Sequence, residues 1–360
     1  MHMFNNLKNK KVLITGNSGF KGAWLSLFLR KVGVNVIGLS DKIHWENSIF
    51  TKKNINNFVK QYWCDIGNIK KIEEVFLLEK PDIIFHLAAQ PIVIEGYKKP
   101  LETLKINING TINVCEITKK LFPKVPLIII TSDKVYKNQN KSIAFTEEHS
   151  IFGDCPYSTS KACSEMIAQS YFSISKDMNI RTLRAGNVIG GGDWSINRLI
   201  PDIIKSISEN KVPVIRNPKH IRPWSHVLDI IYGYLIVADR ALEEESSFKS
   251  YNFSADFDKN YNVLKVANLF LEKFNVKTIR FNNNKKYNEK TSLIINSKKV
   301  RKDLCWEPLY SIERAINITA DWYLDHWSKK ASPLHLTINQ IENYIKEVNK
   351  NYNHLFRNIV

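Results

Sequence analysis

At 360 residues, with 44% hydrophobic and 11% aromatic side chains, the chain can bury a large core in one or two domains, and no stretch approaches the roughly 18 to 20 uninterrupted apolar residues of a membrane span. The formal charge of +17 attracts phosphate-bearing partners, but the lysines are scattered, densest at 8–11 and 282–290. No nucleic-acid module accompanies them, so solvated faces and anionic small substrates are expected, with no nucleic acid and no membrane insertion. The N-terminus shows no long apolar leader, and five cysteines without a C-x-x-C pair fit a reducing cytoplasm, free thiols and no structural metal.

The first predicted element is a buried strand, Val12 to Ile14, broken by glycines at 16, 19 and 22 and followed by the apolar-faced helix pattern of Ala23, Trp24, Leu25, Leu27, Phe28 and Leu29. A strand-to-helix turn without Cβ atoms lets backbone approach a diphosphate, which the helix N-terminus then binds through unpaired N–H groups. A plain tight turn is the alternative. Strand-like runs follow at 34–40, 59–65, 81–89, 125–132 and 179–186, with helix-length segments between them. This alternation predicts an α/β fold, a Rossmann-type doubly wound parallel sheet. Asp41 ends the second strand, nineteen residues beyond Gly22. An acidic group there accepts hydrogen bonds from an adenosine ribose and disfavours a 2′-phosphate, so NAD is preferred over NADP. Asp65, after the third strand, either contacts the adenine or caps the next helix.

Tyr157 and Lys161, in "YSTSK", open a long predicted helix. At i and i+4 they share a face, so the ammonium can lower the phenol pKa and make Tyr157 a proton acceptor for a sugar hydroxyl. Beyond about residue 190 the strand–helix alternation gives way to loops and to helices near 197–209, 226–243, 261–274 and 311–327. These predict a smaller C-terminal substrate-binding lobe closing over a cofactor domain of residues 1–186, mainly at 187–330, with ligands between the two. A helical tail at 331–360 places Leu336, Ile338, Ile341, Tyr344, Ile345 and Val348 near helical spacing, for core packing or for a partner helix.

The motifs "TGNSGFKGAWLSLFL", "FHLAAQPIV", "TSDKVY", "PYSTSKACSE", "RAGNVIGGGDW" with "RLIPD", and "IRNPKHIRPWSHVLD" cover most of residues 11–230. Together they resemble the extended short-chain dehydrogenase/reductases, and specifically the CDP-glucose 4,6-dehydratases; "LCWEPLYSIERAINITADWY" continues the likeness more weakly. The resemblance implies an NAD site from Gly16, Gly19, Phe20, Gly22, Asp41, Asp65, Ile66, Leu87, Ala88, Ala89, Tyr157 and Lys161. It implies a reacting centre of Ser132, Asp133, Lys134, Tyr157 and Lys161, and a grip on a nucleotide-diphosphate hexose by Gln90, Asn187, Arg198, Leu199, Arg216 and Arg222. It further implies a cytoplasmic homodimer or homotetramer in deoxysugar biosynthesis, such as that of lipopolysaccharide O-antigen.

The implied chemistry is oxidation at C4, loss of water across C5 and C6 with Asp133 as acid, and reduction at C6. Many similar dehydratases carry a glutamate base where this chain has Lys134. Here the lysine either takes the C5 proton, once its environment lowers it toward neutrality, or stays charged and stabilises the enolate. Relatives usually carry arginine and serine, facing the sugar, where this chain has Ile94 and Gly96; this opens the choice of hexose or base. Asn17 stands where a histidine beside the cofactor phosphates is typical. Two rivals share part of the pattern: a sugar-nucleotide 4-epimerase, which needs no acid over C6, and a non-catalytic NAD-sensing protein, which need not keep Tyr157 and Lys161.

Overall fold

The computed structural model describes residues 4–139, 143–255, 261–282 and 290–357. Most of the lysine-rich stretch at 282–290 therefore lies outside the described residues. Seven parallel strands form the central sheet: β1 (Lys11–Thr15), β2 (Asn35–Ser40), β3 (Lys60–Trp63), β4 (Ile83–His86), β5 (Pro126–Ile130), β6 (Asn179–Ala185) and β7 (Ser247–Phe253). Their spatial order is β7-β6-β5-β4-β1-β2-β3, which reverses direction at β1 and β4 and is the doubly wound topology expected.

Both faces of the sheet are dry, and the strand residues divide strictly by parity. Val12, Ile14, Ile83, Phe85, Ile128 and Ile130 enter one apolar cluster, while Leu13, Ile84, Leu127 and Ile129 enter the other. Continuous Val/Ile/Leu runs are what a parallel sheet covered on both sides requires. The first cluster also receives α1 (Phe20–Lys31) and the helix Val227–Ala241. The second receives α2 (Ile69–Glu79), α3 (Gly110–Leu121) and α4 (Pro156–Ile174). Pro156 at the first turn and a reciprocal Cys155–Ser158 capping box fix where α4 begins, and so where Tyr157 stands.

Past residue 190 the expected helices appear at Leu199–Ser208, Val227–Ala241, Val263–Glu272 and Ile312–Trp327. The sheet, however, does not stop at β6. β7 pairs with it over seven residues, Ser247↔Asn179 to Phe253↔Ala185. "SFKSYNF" mixes polar and aromatic residues as an edge strand does, and that mixture hid it from a search for apolar runs. Outside the main sheet, short two-stranded parallel pairs join distant segments, among them Asn187–Ile189 with Trp224–His226 and Ala144–Phe145 with Ile294–Ile295. The tail forms the helix Pro333–Arg357. It buries Leu336, Ile341, Tyr344 and Val348 in the first cluster, with Ile338 and Ile345 packed against it. Core packing is thus its role. Among the described residues no helix is long and apolar enough to cross a membrane.

Candidate active site

One cavity of about 640 Å³ opens at the C-terminal ends of the central strands, where the topology switches. Its floor is the glycine turn. Gly16 has φ +74°, and a Cβ there would lie 2.7 Å from Ala88 N; a Cβ on Gly22 would lie 2.2 Å from Gly16 O. The protein's own backbone therefore forbids side chains at both. Gly19 differs, because its Cβ would meet only Gly16 O, at 3.4 Å; space is left there for something the chain does not itself supply. The first turn of α1 carries no side-chain cap and no acidic residue, so its N–H groups face the cavity available to an anion. A dinucleotide diphosphate fits this cradle.

Asp41 stands at the rim after β2. Its Oδ1 accepts from Lys42 N at 2.8 Å and lies 3.2 Å from His44 Nε2; these partners hold the carboxyl below its ordinary value although partial burial opposes them. Asp65 is not the helix cap: Asn68 caps α2 by accepting from Lys71 N, while Asp65 Oδ1 accepts from Gly67 N at 2.6 Å and faces the cavity. Phe20, Ile66, Leu87, Ala88 and Ala89 complete the apolar walls of this half.

Across the cavity α4 brings Tyr157 and Lys161 against the end of β5. Lys161 Nζ donates to Ile130 O at 3.0 Å, and burial pushes the ammonium down to about 8. The helix is clamped from behind: the Arg184 guanidinium on β6 makes a forked pair with Glu165, at 2.8 and 2.9 Å. Ser132 begins a tight turn at the end of β5. Its hydroxyl donates to Asp133 Oδ1 at 2.9 Å and accepts from Lys134 N at 3.2 Å. Asp133 is 2% exposed, and its Oδ2 has no partner among the described residues. Burial raises its pKa against the pull of Lys134, Ser132 and Arg222, so this carboxyl is suited to hold a proton and give it away. Tyr157 departs from expectation. Among the chain's own groups burial dominates and raises the phenol, and the opposing influences are the Ser132 hydrogen bond and Arg198.

Residues 13–319 match the family described as GDP-mannose 4,6 dehydratase. A CDP-glucose 4,6-dehydratase of Salmonella typhimurium is 39% identical over 255 residues, covering 68% of this chain and 71% of that protein. The chain belongs to the GDP-mannose 4,6 dehydratase family. A dTDP-glucose 4,6-dehydratase of Haemophilus influenzae is 25% identical over 337 residues, covering 87% of this chain and 97% of that one. Among solved structures, a Bacillus anthracis dTDP-glucose 4,6-dehydratase in complex with NAD superposes with TM-score 0.77 at 22% identity, over 88% of this chain and 98% of that one. An epimerase of Methanothermobacter thermautotrophicus does so with 0.79 at 25% identity, over 90% and 95%. Dehydratases and epimerases thus share this fold, and the site must discriminate between them.

In this family member the far end of the cavity is lined by Asn187, Arg198, Leu199, Arg216 and Arg222. Arg198 pairs with the buried Asp193 at 2.9 Å and Arg216 with Asp202 at 3.0 Å, while Arg222 donates to Ile221 O and meets His220. The guanidinium groups are held in place by neighbours within residues 193–221. Gln90 lines the cavity, but its amide is committed to the loop after β4, donating to Thr103 Oγ1 and accepting from Ile92 N.

Three departures resolve differently from expectation. Asn17 turns away from the cavity under β2, donating to Gln61 Oε1 and accepting from Ser40 Oγ; a buried polar side chain must find partners, and these lie inside the sheet. Neither Ile94 nor Gly96 lines the main cavity. Ile94 is buried beside a shallower pocket shared with Asn197 and Arg216. Gly96 backs onto α4, where a Cβ would lie 3.2 Å from Tyr157 N.

Sequence reasoning missed Lys21. In "GFKG" it reads as one more surface lysine, yet its side chain runs from the first turn of α1 into the cavity, and it makes no ion pair among the described residues. Burial, then Lys161 and Arg198, push its amine down to about 7, against Asp133 and Asp193. Only its position within the cradle motif could have flagged it.

Proposed function

We propose that this protein is an NAD-dependent nucleotide-sugar 4,6-dehydratase that converts an NDP-hexose, CDP-glucose first among them, to the 4-keto-6-deoxy sugar nucleotide. Bound NAD would supply the redox chemistry, taking hydrogen from C4 and returning it at C6. The chain's own residues supply the rest. The glycine cradle and Asp41 hold the cofactor, Tyr157 takes the O4 proton, Asp133 gives its proton to the departing C6 hydroxyl, and Lys134 takes the C5 proton. Arg198, Arg216 and Arg222 grip the sugar nucleotide's diphosphate, for which their forked donors are suited.

The observation that carries this reading is Asp133: a buried carboxyl with one unpartnered oxygen, in the same cavity as the Tyr157 phenol. An epimerase, which returns hydrogen to C4, has no use for an acid held there. A non-catalytic NAD sensor has no use for Tyr157 and Lys161 as a pair.

Support for a homodimer or homotetramer comes from Leu101, Ile112, Met166 and Ile174, which are exposed on α3, α4 and the segment before them. A place in the cytoplasm and in deoxysugar supply for lipopolysaccharide O-antigen rests on the resemblance. The test is incubation of the purified protein and NAD with CDP-, dTDP-, UDP- and GDP-hexoses. The 4-keto product, read by its alkaline absorbance, is expected to form fastest from CDP-glucose. A C4-inverted hexose without that absorbance would install the epimerase instead.

A further inference from the structure

Dehydration requires two pieces of the chain to meet one hexose. Tyr157 and Lys161 stand on α4, while Ser132, Asp133 and Lys134 stand on the tight turn that follows β5. Reacting groups lose much of their effect when displaced by about 1 Å, so the spacing between helix and turn must be held. Tyr157, Lys161 and Glu165 follow one another at four-residue steps along one face of α4. Lys161 Nζ donates to Ile130 O at 3.0 Å, and Glu165 Oε1 accepts from Thr131 Oγ1. Consecutive residues at the end of β5 are thus gripped by consecutive turns of the helix. Glu165 also receives Arg184 Nε and Nη2, at 2.8 and 2.9 Å. The other arm of that guanidinium, Nη1, donates to the Tyr136 hydroxyl at 2.8 Å, which itself donates to Asn252 Oδ1 on β7 at 2.7 Å. Thr131 and Tyr136 immediately precede and follow the segment Ser132–Val135, so one ion pair reaches both ends of the turn. All four residues are at most 3% exposed, and water is poorly placed to replace a lost bond.

We propose that the Glu165–Arg184 ion pair is a positioning device for the reacting centre, fixing the turn that carries Asp133 to the helix that carries Tyr157 through Thr131 and Tyr136. The inference rests on the dehydratase reading and deepens it. Glu165, Arg184 and Tyr136 do not line the cavity, so they act through the residues they hold. Backbone bonds from Phe152 N to Val135 O and from Lys137 N to Ser150 O keep the chain in place beyond the turn. Removing one side-chain hydroxyl therefore loosens the turn without releasing it. Oxidation at C4, which needs Tyr157, and elimination, which needs Asp133 and Lys134, should then separate.

The test removes single hydroxyls, because replacing Glu165 or Arg184 would leave a buried charge unpaired and endanger folding. NAD-loaded parent, Thr131→Val, Tyr136→Phe and Thr131→Ser are mixed rapidly with CDP-glucose, and enzyme-bound reduced nicotinamide is followed by its absorbance. In Thr131→Val and Tyr136→Phe it is expected to form within about threefold of the parent rate and to decay roughly tenfold or more slowly, toward the ~10² that such a misplacement costs. Thr131→Ser keeps the donor and should match the parent. A second readout needs no turnover. Hydrogen exchange of the backbone amides in residues 132–136, read by mass spectrometry, should speed up roughly fivefold or more in Thr131→Val and Tyr136→Phe. Formation and decay slowed alike, or neither slowed, overturns the proposal, and so does turn exchange at the parent rate in those two variants. A Thr131→Ser as impaired as Thr131→Val also overturns it. If the parent yields no 4-keto product from any sugar nucleotide while turn exchange follows the two hydroxyls, the dehydratase reading falls and the anchor stands.

Discussion

Tyr157 and Lys134 divide the proposed reaction at the residue scale, and removing each should stop it at a different point. Tyr157→Phe removes the hydroxyl that receives the O4 proton while keeping the ring's contacts. NAD affinity should stay nearly unchanged while C4 oxidation falls by about 10²–10⁴, the usual worth of a general base; formation of reduced nicotinamide at the parent rate would take the base role from Tyr157. Lys134→Ala should instead oxidise C4 and accumulate enzyme-bound reduced nicotinamide, then stall before elimination without exchanging deuterium from solvent into C5. Rapid C5 exchange in that variant would return Lys134 to the charge-stabilising alternative. Lys21 carries a different expectation. Its amine titrates near 7 in the folded chain against 10.5 as reference, so between those values the unfolded chain binds a proton the folded one refuses. Stability then rises with pH across that window, and the cost of Lys21 is full below about pH 7. Lys21→Met should raise the melting temperature near neutral pH by about 2 °C or more, with the gain shrinking toward pH 10.5. A melting gain independent of pH would mean that packing rather than charge is responsible.

At the scale of elements, the strand–turn–helix unit separates what the fold requires from what the ligand requires. Gly22→Ala pushes a Cβ to within 2.2 Å of Gly16 O and 2.7 Å of Asn17 Cα, so backbone must move and the cofactor domain should lose stability by several kcal/mol. Gly19→Ala meets nothing closer than 3.4 Å. Its melting temperature should stay near the parent's while NAD affinity falls tenfold or more, measured by calorimetric titration. Equal NAD affinity in Gly19→Ala would remove the diphosphate from this turn. The same unit was readable in the sequence, because its strand, glycines and helix are contiguous and their spacing alone sets the turn. β7 was not readable, since an edge strand that begins at Ser247, long after β6 ends at Ala185, has no local mark of the partner it joins.

For the whole molecule, one buried carboxyl on the helix Val227–Ala241 joins the C-terminal helix Pro333–Arg357 to the turn before the helix Ile312–Trp327. Asp229 Oδ1 accepts from Leu309 N at 2.8 Å and from Tyr344 OH at 2.9 Å, and its Oδ2 is buried without a partner among the described residues. Burial pushes this carboxyl up to about 7, so near neutrality a neutral side chain of the same shape is a close substitute. Asp229→Ala strands both donors and should cost about 2–6 kcal/mol at ~1–3 per unsatisfied group. Asp229→Asn keeps the acceptor and should cost less than half of that. Denaturant unfolding that ranks the two variants in the opposite order would show that the charge, not the acceptor, holds the helix.

What the sequence by itself determined was everything that short spacing controls: the glycine turn, Asp41 at the end of β2, the shared face of Tyr157 and Lys161, and the parity of the buried strands. These depend on φ/ψ preferences and on helix and strand periods, which a dozen contiguous residues specify. Tertiary structure alone decided where side chains point once distant segments meet. It turned Asn17 toward Gln61, 44 residues away, set Gly96 behind Tyr157, and drew Lys21 into the cavity with Lys161 and Arg198. A side chain's direction is settled by the partners that satisfy its polar atoms, and in this fold those partners come from elsewhere in the chain.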